Sequence, residues 1–334
     1  MQPTVSVIVP CYNEQATIGA LLGAIHEQTY PQDRLEVVIA DGISDDGTRV
    51  AIERFSQTHP ALQIRLVDNH ARTIPAGLNH AIREAQGEIL VRLDAHSIPI
   101  PEYVERCVRA LQSGKGANVG GVWSIRPGGA GWMARGIAAA AAHPLGAGDA
   151  LYRLGGVARA VDTVPFGAFR RALLGEVGAF DEDLLANEDY EFNVRIRRHG
   201  GVVWLDPQIR STYVARSTPA ELARQYWRYG FWKYRMLLRY PGSIRWRQAL
   251  PPLMVLGLLL MAAAAPFWRP AAAGFLAATV IYLVTLLAAG VHLGWRGRDA
   301  RLLPSAMLAL ATMHFAWGTG FLSSMLGRWI KRDG

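Results

Sequence analysis

The sequence predicts an α/β domain with a mostly parallel sheet, followed by a C-terminal helical region that crosses a membrane. In the first part of the 334-residue chain, apolar strand-like runs alternate with helical patterns, which is typical of strands joined by crossover helices. From residue 249 onward, three stretches lack Asp, Glu, Lys and Arg. Each reaches the roughly 20 residues that a membrane-spanning helix needs.

The elements of the first domain follow from the periodicity of apolar residues. Short apolar and β-branched runs predict strands at 5–9, 35–40, 63–67, 88–93 and 202–205. Helical spacing of apolar residues predicts helices at 16–28, 48–58, 74–85, 101–113, 170–178 and 190–199. Strands that alternate with helices in this way predict a parallel sheet with helices on its faces.

Composition and charge restrict the class of protein. The two cysteines, Cys11 and Cys107, are too few for a disulfide framework, and no Cys/His spacing indicates zinc. The N-terminus lacks the basic segment of a signal peptide, so the first domain is expected to stay in a reducing compartment. The net charge is +8. Because arginines gather near the membrane boundary, anionic lipid or a phosphate-bearing substrate explains this charge better than nucleic acid does.

Polar motifs follow three of the predicted strands. They are Pro10-Cys-Tyr-Asn-Glu14, Asp41-Gly-Ile-Ser-Asp-Asp-Gly47 and Asp94-Ala-His96. The carboxyl ends of parallel strands meet at one edge of a sheet, where open α/β folds bind nucleotides. An Asp-x-His at a strand end can hold a divalent metal against phosphate oxygens, although alone it is more often a turn or a helix cap.

The chain resembles family 2 glycosyltransferases over residues 5–240. The resemblance rests on five motifs in the family's order: the three strand-end motifs, Asn187-Glu-Asp189 and Gln225-Tyr-Trp-Arg-Tyr-Gly230. It is nearest to the succinoglycan-biosynthesis, ExoA-like branch, which also carries His in place of the second Asp of the family's Asp-x-Asp. The resemblance implies a GT-A fold, which is Rossmann-like, and a hexosyltransferase that uses a nucleotide-sugar donor.

The resemblance also implies a donor site, with a UDP-sugar as the favoured donor. The expected donor-binding residues are Pro10, Tyr12, Glu14, Asp41, Arg72 and Asp94. Simpler explanations are plain packing for Tyr12, a helix-dipole charge for Glu14 and a solvated loop for Arg72. Asp45 and Asp46 are interpreted as turn and cap residues. Arg170 or Arg171 is expected to hold phosphate, or else to begin a solvated helix.

Asp94 and His96 match the metal-binding pair of the family, which implies Mn²⁺ or Mg²⁺ as cofactor. The imidazole shifts the preference toward Mn²⁺. Direct contact of His96 with the metal stays open, because a neutral histidine hydrogen-bonded near the crevice is the alternative.

Asp189 matches the general base of the family, which takes the proton of the acceptor hydroxyl as that oxygen attacks the anomeric carbon. A single base implies one displacement and inversion at that carbon. Glu188, Gln225 and Arg228 are expected to contact the acceptor or the diphosphate. Tyr229 departs from the Gln-x-x-Arg-Trp motif of processive members, and helix N-terminal acids are the simpler explanation for Glu188 and Asp189.

The predicted domains are a GT-A domain at 1–220, interfacial amphipathic helices at 221–248 and a transmembrane region at 249–334. The spans are expected near 249–268, 270–295 and 302–327, and the segment 114–160 is interpreted as mobile or acceptor-facing, with a surface insertion as the alternative. Positive-inside counting predicts a multi-pass protein of the inner (plasma) membrane with a cytoplasmic catalytic domain. A third full span would place Lys331 and Arg332 outside, so a re-entrant segment is the alternative.

Membrane tethering favours a lipid-linked (polyprenyl diphosphate) saccharide as acceptor, with membrane lipids as further partners. This predicts a metal-assisted inverting transferase in envelope or exopolysaccharide assembly. Alternatives are transfer to polyprenyl phosphate itself, a processive polysaccharide synthase, or a membrane protein whose fold only binds a nucleotide or a partner. Tyr229 and the small number of spans count against the synthase, and the set of three acids, Asp41, Asp94 and Asp189, counts against a binding protein.

Overall fold

A computed structural model describes residues 2–330 of the chain. The chain divides into two compact units. Unit 1 comprises Met1–Ser124 and Leu151–Tyr213, and unit 2 comprises Ile125–Ala150 and Val214–Gly334.

Strands and helices alternate through unit 1, and helices dominate unit 2. The strands are β1 (Val5–Cys11), β2 (Leu35–Asp41), β3 (Gln63–Asp68), β4 (Ile89–Arg92), β5 (Ile98–Pro99), β6 (Asn118–Arg126), β7 (Arg159–Ala160), β8 (Ala168–Arg170) and β9 (Val203–Val214). The helices are α1 (Ile18–His26), α2 (Thr48–Thr58), α3 (Ile74–Glu84), α4 (Tyr103–Gln112), α5 (Trp132–Ala141), α6 (Pro144–Ala147), α7 (Leu151–Leu154), α8 (Leu173–Val177), α9 (Glu188–Arg198), α10 (Pro219–Arg239), α11 (Trp246–Ala264), α12 (Arg269–Gly297) and α13 (Leu302–Ile330).

All the strands belong to one sheet with the order β3-β2-β1-β4-β8-β6-β9-β5, and β7 pairs with β9. β3, β2, β1 and β4 are parallel, whereas β8 is antiparallel to both β4 and β6. Cys11 at the end of β1 pairs with Asp41 at the end of β2. This register places the loops after β1 and β2 side by side, as expected at the carboxyl edge of a parallel sheet.

The parallel strands are buried on both faces. Val5, Val7 and Val9 of β1 belong to one apolar cluster, and Ile8 belongs to the other. Helices α1 and α4 cover the first cluster, whereas α3 and α9 contribute to the second. Burial on both faces explains why the strand sequences read as nearly continuous apolar runs.

The structure contradicts the interpretation of the segment 114–160 as a surface insertion, whereas an acceptor-facing role for it stays a prediction. This segment contains β6, which lies between β8 and β9 inside the sheet, and helix α5. A Cβ added to Gly121 would overlap the backbone of Ile209 in β9, so glycine permits this close pairing. Its part 125–150 belongs to unit 2 rather than to the first domain. The predicted helix at 170–178 is shorter, since β8 extends to Arg170 and α8 begins at Leu173.

Within the described part of unit 2, two helices are long and apolar enough to cross a membrane, Trp246–Ala264 and Arg269–Gly297. In the most apolar stretch of each helix, 17% of the residues are buried. The third predicted span lies within α13, where Ala306, Ala309 and Leu310 are fully buried. A crossing by α13 stays a prediction, and Lys331 and Arg332 lie outside the described residues.

Candidate functional site

The loops that follow β1 and β2 are fastened to each other by side chains. Asn13 adopts a left-handed conformation with φ 54°, donates to Asp45 at 2.8 Å and accepts from the Asp45 N–H at 3.1 Å. Asp46 accepts from the backbone N–H of Thr48 at 3.0 Å and from that of Gln15 at 3.1 Å. Asp45 and Asp46 therefore hold the turn before α2, as the sequence predicted, whereas the N-cap position of α2 is occupied by Gly47.

Asp41 ends β2 with its side chain fully buried. Its carboxylate accepts from the Ser44 hydroxyl at 2.5 Å, from the Ser44 N–H at 3.0 Å and from Arg49 Nε at 2.5 Å. Arg49 also donates to Asp68 at the end of β3. The carboxylate thus holds the turn after β2, and its expected contact with the nucleoside stays a prediction.

Tyr12 is the exposed aromatic side chain at this edge, with 43% of its surface accessible. The guanidinium carbon of Arg72 lies 5.5 Å from the centre of its ring, within the range of a cation–π contact. A Cβ on Gly42 would lie 2.9 Å from the Tyr12 ring, so the glycine leaves room for the ring. Pro10 is buried within β1. Among the expected donor-binding residues on these loops, Tyr12 and Arg72 are exposed.

Asp94 and His96 follow β4 and are both accessible, with 23% and 36% of their side chains exposed. Nδ1 of His96 lies 2.9 Å from Glu14 Oε1, and Thr17 donates to the other Glu14 oxygen. Glu14 therefore orients His96. In the described part of the chain, no cluster of three or more Asp, Glu, His or Cys forms a metal cage.

One carboxylate and one imidazole at a strand end fit a divalent cation that takes its remaining ligands from water and substrate phosphate. The partly exposed positions of Asp94 and His96 suit such sharing, because a fully enclosed cation could not reach a diphosphate. The residues present therefore fit the predicted cofactor.

Arg92, the last residue of β4, lies between the acidic residues of the site, and only 2% of it is exposed. Its Nη2 donates to Glu188 at 2.9 Å and to Asp94 at 3.1 Å, and its Nη1 donates to Asp189. The backbone N–H of Arg92 donates to the carbonyl of Gly167 at 3.0 Å. Burial alone would lower the pKa of Arg92, but the three carboxylates raise it above its ordinary value.

Helix α9 presents Glu188 and Asp189 in its first turn. Asn187 precedes the helix with φ 66°, and on the neighbouring segment Phe166 and Gly167 have φ 63° and 79°. Asparagine and glycine tolerate this region, whereas an aromatic residue there is strained. The strained turn at Phe166 places its backbone N–H against Asp189.

The side chain of Asp189 is 25% exposed, although burial and the neighbouring carboxylates of Glu188 and Asp94 disfavour its charge. Burial raises its pKa, and Glu188 and Asp94 raise it further. Arg92 and the N–H of Phe166 act in the opposite direction, and the resulting pKa is about 8. A carboxyl group with a pKa near neutrality is suited to exchange a proton with a substrate.

The structure thus gathers Asp94, Glu188 and Asp189 around Arg92, and it pairs His96 with Glu14. Gln225 and Arg228 lie on α10 in unit 2, where Gln225 donates to the Tyr229 hydroxyl at 3.0 Å. Their predicted contact with the diphosphate stays a prediction. On the β8 side, Arg170 is exposed.

Arg171 differs from the expectation that it holds phosphate. Its Nε donates to the carbonyl of Gly87 at 3.0 Å, and its Nη2 donates to that of Ala85. Ala85 follows the last residue of α3. The guanidinium is therefore engaged with the backbone carbonyls that follow α3, where a cation also complements the helix dipole.

Sequence reasoning missed Arg92. The available signal was a charged residue inside a strand whose other members are apolar, since a buried charge requires a partner. Those partners cannot be identified from the sequence alone, because Glu188 and Asp189 lie almost a hundred positions further along the chain.

Comparison with known proteins places the chain among sugar-transferring enzymes. A family model described as "Glycosyl transferase family 2" matches residues 6–178. The succinoglycan biosynthesis protein ExoA of Rhizobium meliloti is 29% identical over 96% of this chain and 94% of its own length.

A second relative is a dolichyl N-acetyl-α-D-glucosaminyl phosphate 3-β-D-2,3-diacetamido-2,3-dideoxy-β-D-glucuronosyltransferase of Methanococcus voltae. It is 27% identical over 72% of this chain and 76% of its own length. Among solved structures, the mannosyltransferase PcManGT from Pyrobaculum calidifontis, in complex with GDP-Man and Mn²⁺, is similar with a TM-score of 0.62 and 27% identity. That similarity covers 94% of this chain and 87% of the mannosyltransferase chain.

Proposed function

Because the chain belongs to glycosyl transferase family 2 and is a glycosyltransferase with a GT-A fold, we propose that it inverts the anomeric centre of the sugar it transfers. The donor is a nucleotide sugar, and the acceptor is a lipid-linked saccharide diphosphate at the cytoplasmic face of the membrane. Asp189 is the general base. The observation that carries this proposal is a partly exposed carboxylate of raised pKa beside the partly exposed pair Asp94 and His96.

Asp189 takes the proton of the attacking acceptor hydroxyl while that oxygen forms the new bond to the anomeric carbon. The bond from the anomeric carbon to the diphosphate breaks in the same step, and the nucleoside diphosphate leaves as an anion. One displacement from the face opposite the leaving group inverts the configuration. No other carboxylate is needed as an acid, because a diphosphate is a good leaving group.

Asp94 and His96 would hold a divalent cation, Mn²⁺ or Mg²⁺. When bound, its positive charge would offset the negative charge of the diphosphate. Tyr12 and Arg72 are the residues whose exposure best suits contact with the donor. The relative PcManGT, solved with GDP-Man and Mn²⁺, supports a divalent cation and a nucleotide sugar. A UDP-sugar is the donor favoured by the sequence, and GDP-mannose is the direct rival.

Three observations support a lipid-linked acceptor. Helices α11 and α12 are long and apolar enough to cross a membrane, which a transferase acting on soluble acceptors would not require. The Methanococcus relative is named for transfer to a dolichyl-linked sugar phosphate. The aromatic and basic side chains of α10 are suited to the headgroup region, where such an acceptor presents its phosphate.

The direct test uses the full-length protein in nanodiscs with a panel of UDP- and GDP-sugars. Acceptors are polyprenyl diphosphate saccharides, polyprenyl phosphate and soluble oligosaccharides, and the Asp189→Asn variant is the control. We expect one lipid-linked saccharide to be extended by a single sugar, and Asp189→Asn to lose that activity. Extension of soluble oligosaccharides alone, or a long polymer from one donor, would contradict the proposal.

A further inference from the structure

Arg92 is a buried charge in the middle of the acidic site. It ranks among the largest fully buried side chains of the described residues. A strand position of this kind is normally apolar, since burying an unpaired charge costs several kcal/mol. The charge is tolerated because three carboxylates, Asp94, Glu188 and Asp189, surround the guanidinium.

The three carboxylates come from two distant parts of the chain. Asp94 follows β4 on the side expected to bind the donor, whereas Glu188 and Asp189 begin α9 on the side expected to bind the acceptor. Arg92 contacts both groups: its Nη1 donates to Asp189, and its Nη2 is shared between Asp94 and Glu188. The planar guanidinium therefore fixes the distance and the orientation between the two groups.

We propose that Arg92 is a positioning residue, which fixes the position of the general base Asp189 relative to Asp94 on the donor side. Arg92 does not contact the reacting atoms in this account. It acts through Asp189, whose carboxylate it orients toward the acceptor hydroxyl. This inference rests on the proposed function, because it requires Asp189 to be the base.

Glu188 gains a different role from the one that the sequence predicted. Its side chain is only 9% exposed and accepts from Arg92 at 2.9 Å. A carboxylate so placed balances the guanidinium and fixes its plane, rather than contacting the acceptor. The fork geometry of the guanidinium also predicts that lysine cannot replace Arg92, because an ammonium is a single point of charge.

The test compares Arg92→Lys with the wild type in the full-length protein. A misplaced catalytic group can cost about 10²-fold in rate, so we expect kcat for transfer to fall by about that factor while donor affinity changes little. The matched control is Arg65→Lys, since Arg65 on β3 also pairs with acids, Glu36 at 3.9 Å and Glu84 at 3.7 Å, away from the site. The control should keep its kcat.

A double-variant cycle separates positioning from a merely structural role. If Arg92 acts through the base, adding Arg92→Lys to Asp189→Asn should change the residual kcat by less than about threefold. If Arg92 only supports the fold, the two losses will multiply, and the inference is overturned. Unchanged kcat in Arg92→Lys alone would overturn it as well.

If the proposed function is wrong, a different result is expected: Asp189→Asn itself keeps the wild-type rate, whatever Arg92→Lys does. Thermal unfolding and nucleotide binding, measured for every variant, identify those that fail to fold. Should Arg92→Lys be among them, Glu188→Gln tests the same geometry, because it loosens the guanidinium without removing it. We then expect a lower kcat with unchanged donor affinity, and an unchanged kcat would overturn the inference.

Discussion

Asp189 is a carboxyl group in surroundings that resist its ionisation. Burial is the largest cause, followed by the opposing effect of Arg92 and then by the repulsion from Glu188 and Asp94. A base that is partly protonated near neutrality is a strong proton acceptor once ionised. In its proposed role as the base, Asp189 would set the pH at which transfer is fastest.

The raised pKa predicts a rate that increases with pH. Only ionised Asp189 can accept the proton, and its pKa is about 8, so kcat should rise about tenfold per pH unit below that value and level off above it. Steady-state transfer measured from pH 6 to pH 9 checks this. Asp189→Asn should be slower by about 10²–10⁴-fold and show no such rise. A flat profile for the wild type would count against the assignment.

The predicted preference of the site for Mn²⁺ over Mg²⁺ can be tested at His96. Replacing His96 by Asp removes the imidazole and adds an oxygen ligand, which should move the preference from Mn²⁺ toward Mg²⁺. Asp94→Ala should abolish cation-dependent binding of the nucleotide, measured by calorimetry. EDTA should stop transfer by the wild type, and added Mn²⁺ or Mg²⁺ should restore it. Undiminished transfer in EDTA would exclude the cation site.

At the scale of elements, two helices of unit 2 approach each other through glycine. A Cβ on Gly230 of α10 would overlap the carbonyl of Trp317 in α13, and one on Gly320 of α13 would overlap the carbonyl of Trp227 in α10. Small residues at both positions let the helix backbones meet, as in membrane helix pairs.

Gly230→Ala should therefore destabilise unit 2, by about 1–3 kcal/mol, the usual cost of overpacking. Thermal unfolding in detergent measures the effect. Gly257→Ala on α11 is the matched control, because nothing lies within 4 Å of its added Cβ, and alanine favours the helix. Equal melting temperatures for the two variants would mean that α10 and α13 do not pack as closely as described.

The sequence predicts best the helices and strands whose apolar pattern lies within one short segment of the chain. Strands β1 to β4 and helices α1 to α4 follow from the pattern of their apolar residues, and α2 has the bounds that the pattern predicted. The two-residue strand β5 was not predicted. β6 was missed because Gly120 and Gly121 read as a flexible stretch, whereas they serve close strand pairing. The Arg92 contacts were missed because side-chain pairing across almost a hundred residues leaves no periodic trace.

At the scale of the whole molecule, the C-terminal helices are more than an anchor appended to a catalytic domain. Helix α5, from the middle of the sequence, belongs to the same unit as α10–α13. A Cβ on Gly136 of α5 would overlap Ser305 of α13, so the two helices are in close contact. Unit 2 is therefore assembled from two separate segments of the chain.

A chain that ends at Tyr240 should consequently be insoluble without detergent, because it lacks α13 and exposes the faces of α5 and α10 that α13 covers. Size-exclusion chromatography with and without detergent checks this, with the full-length protein as reference. A truncated chain that elutes as a monomer without detergent would show that these faces do not need α13.

The central claim is a single displacement assisted by one base. Its most direct test is the anomeric configuration of the sugar in the product, measured by NMR after transfer from an α-linked nucleotide sugar to a lipid-linked saccharide. The account predicts a β-linked product, since one attack opposite the leaving group inverts the centre. An α-linked product would contradict it, because retention requires a different mechanism from the one that Asp189 supports.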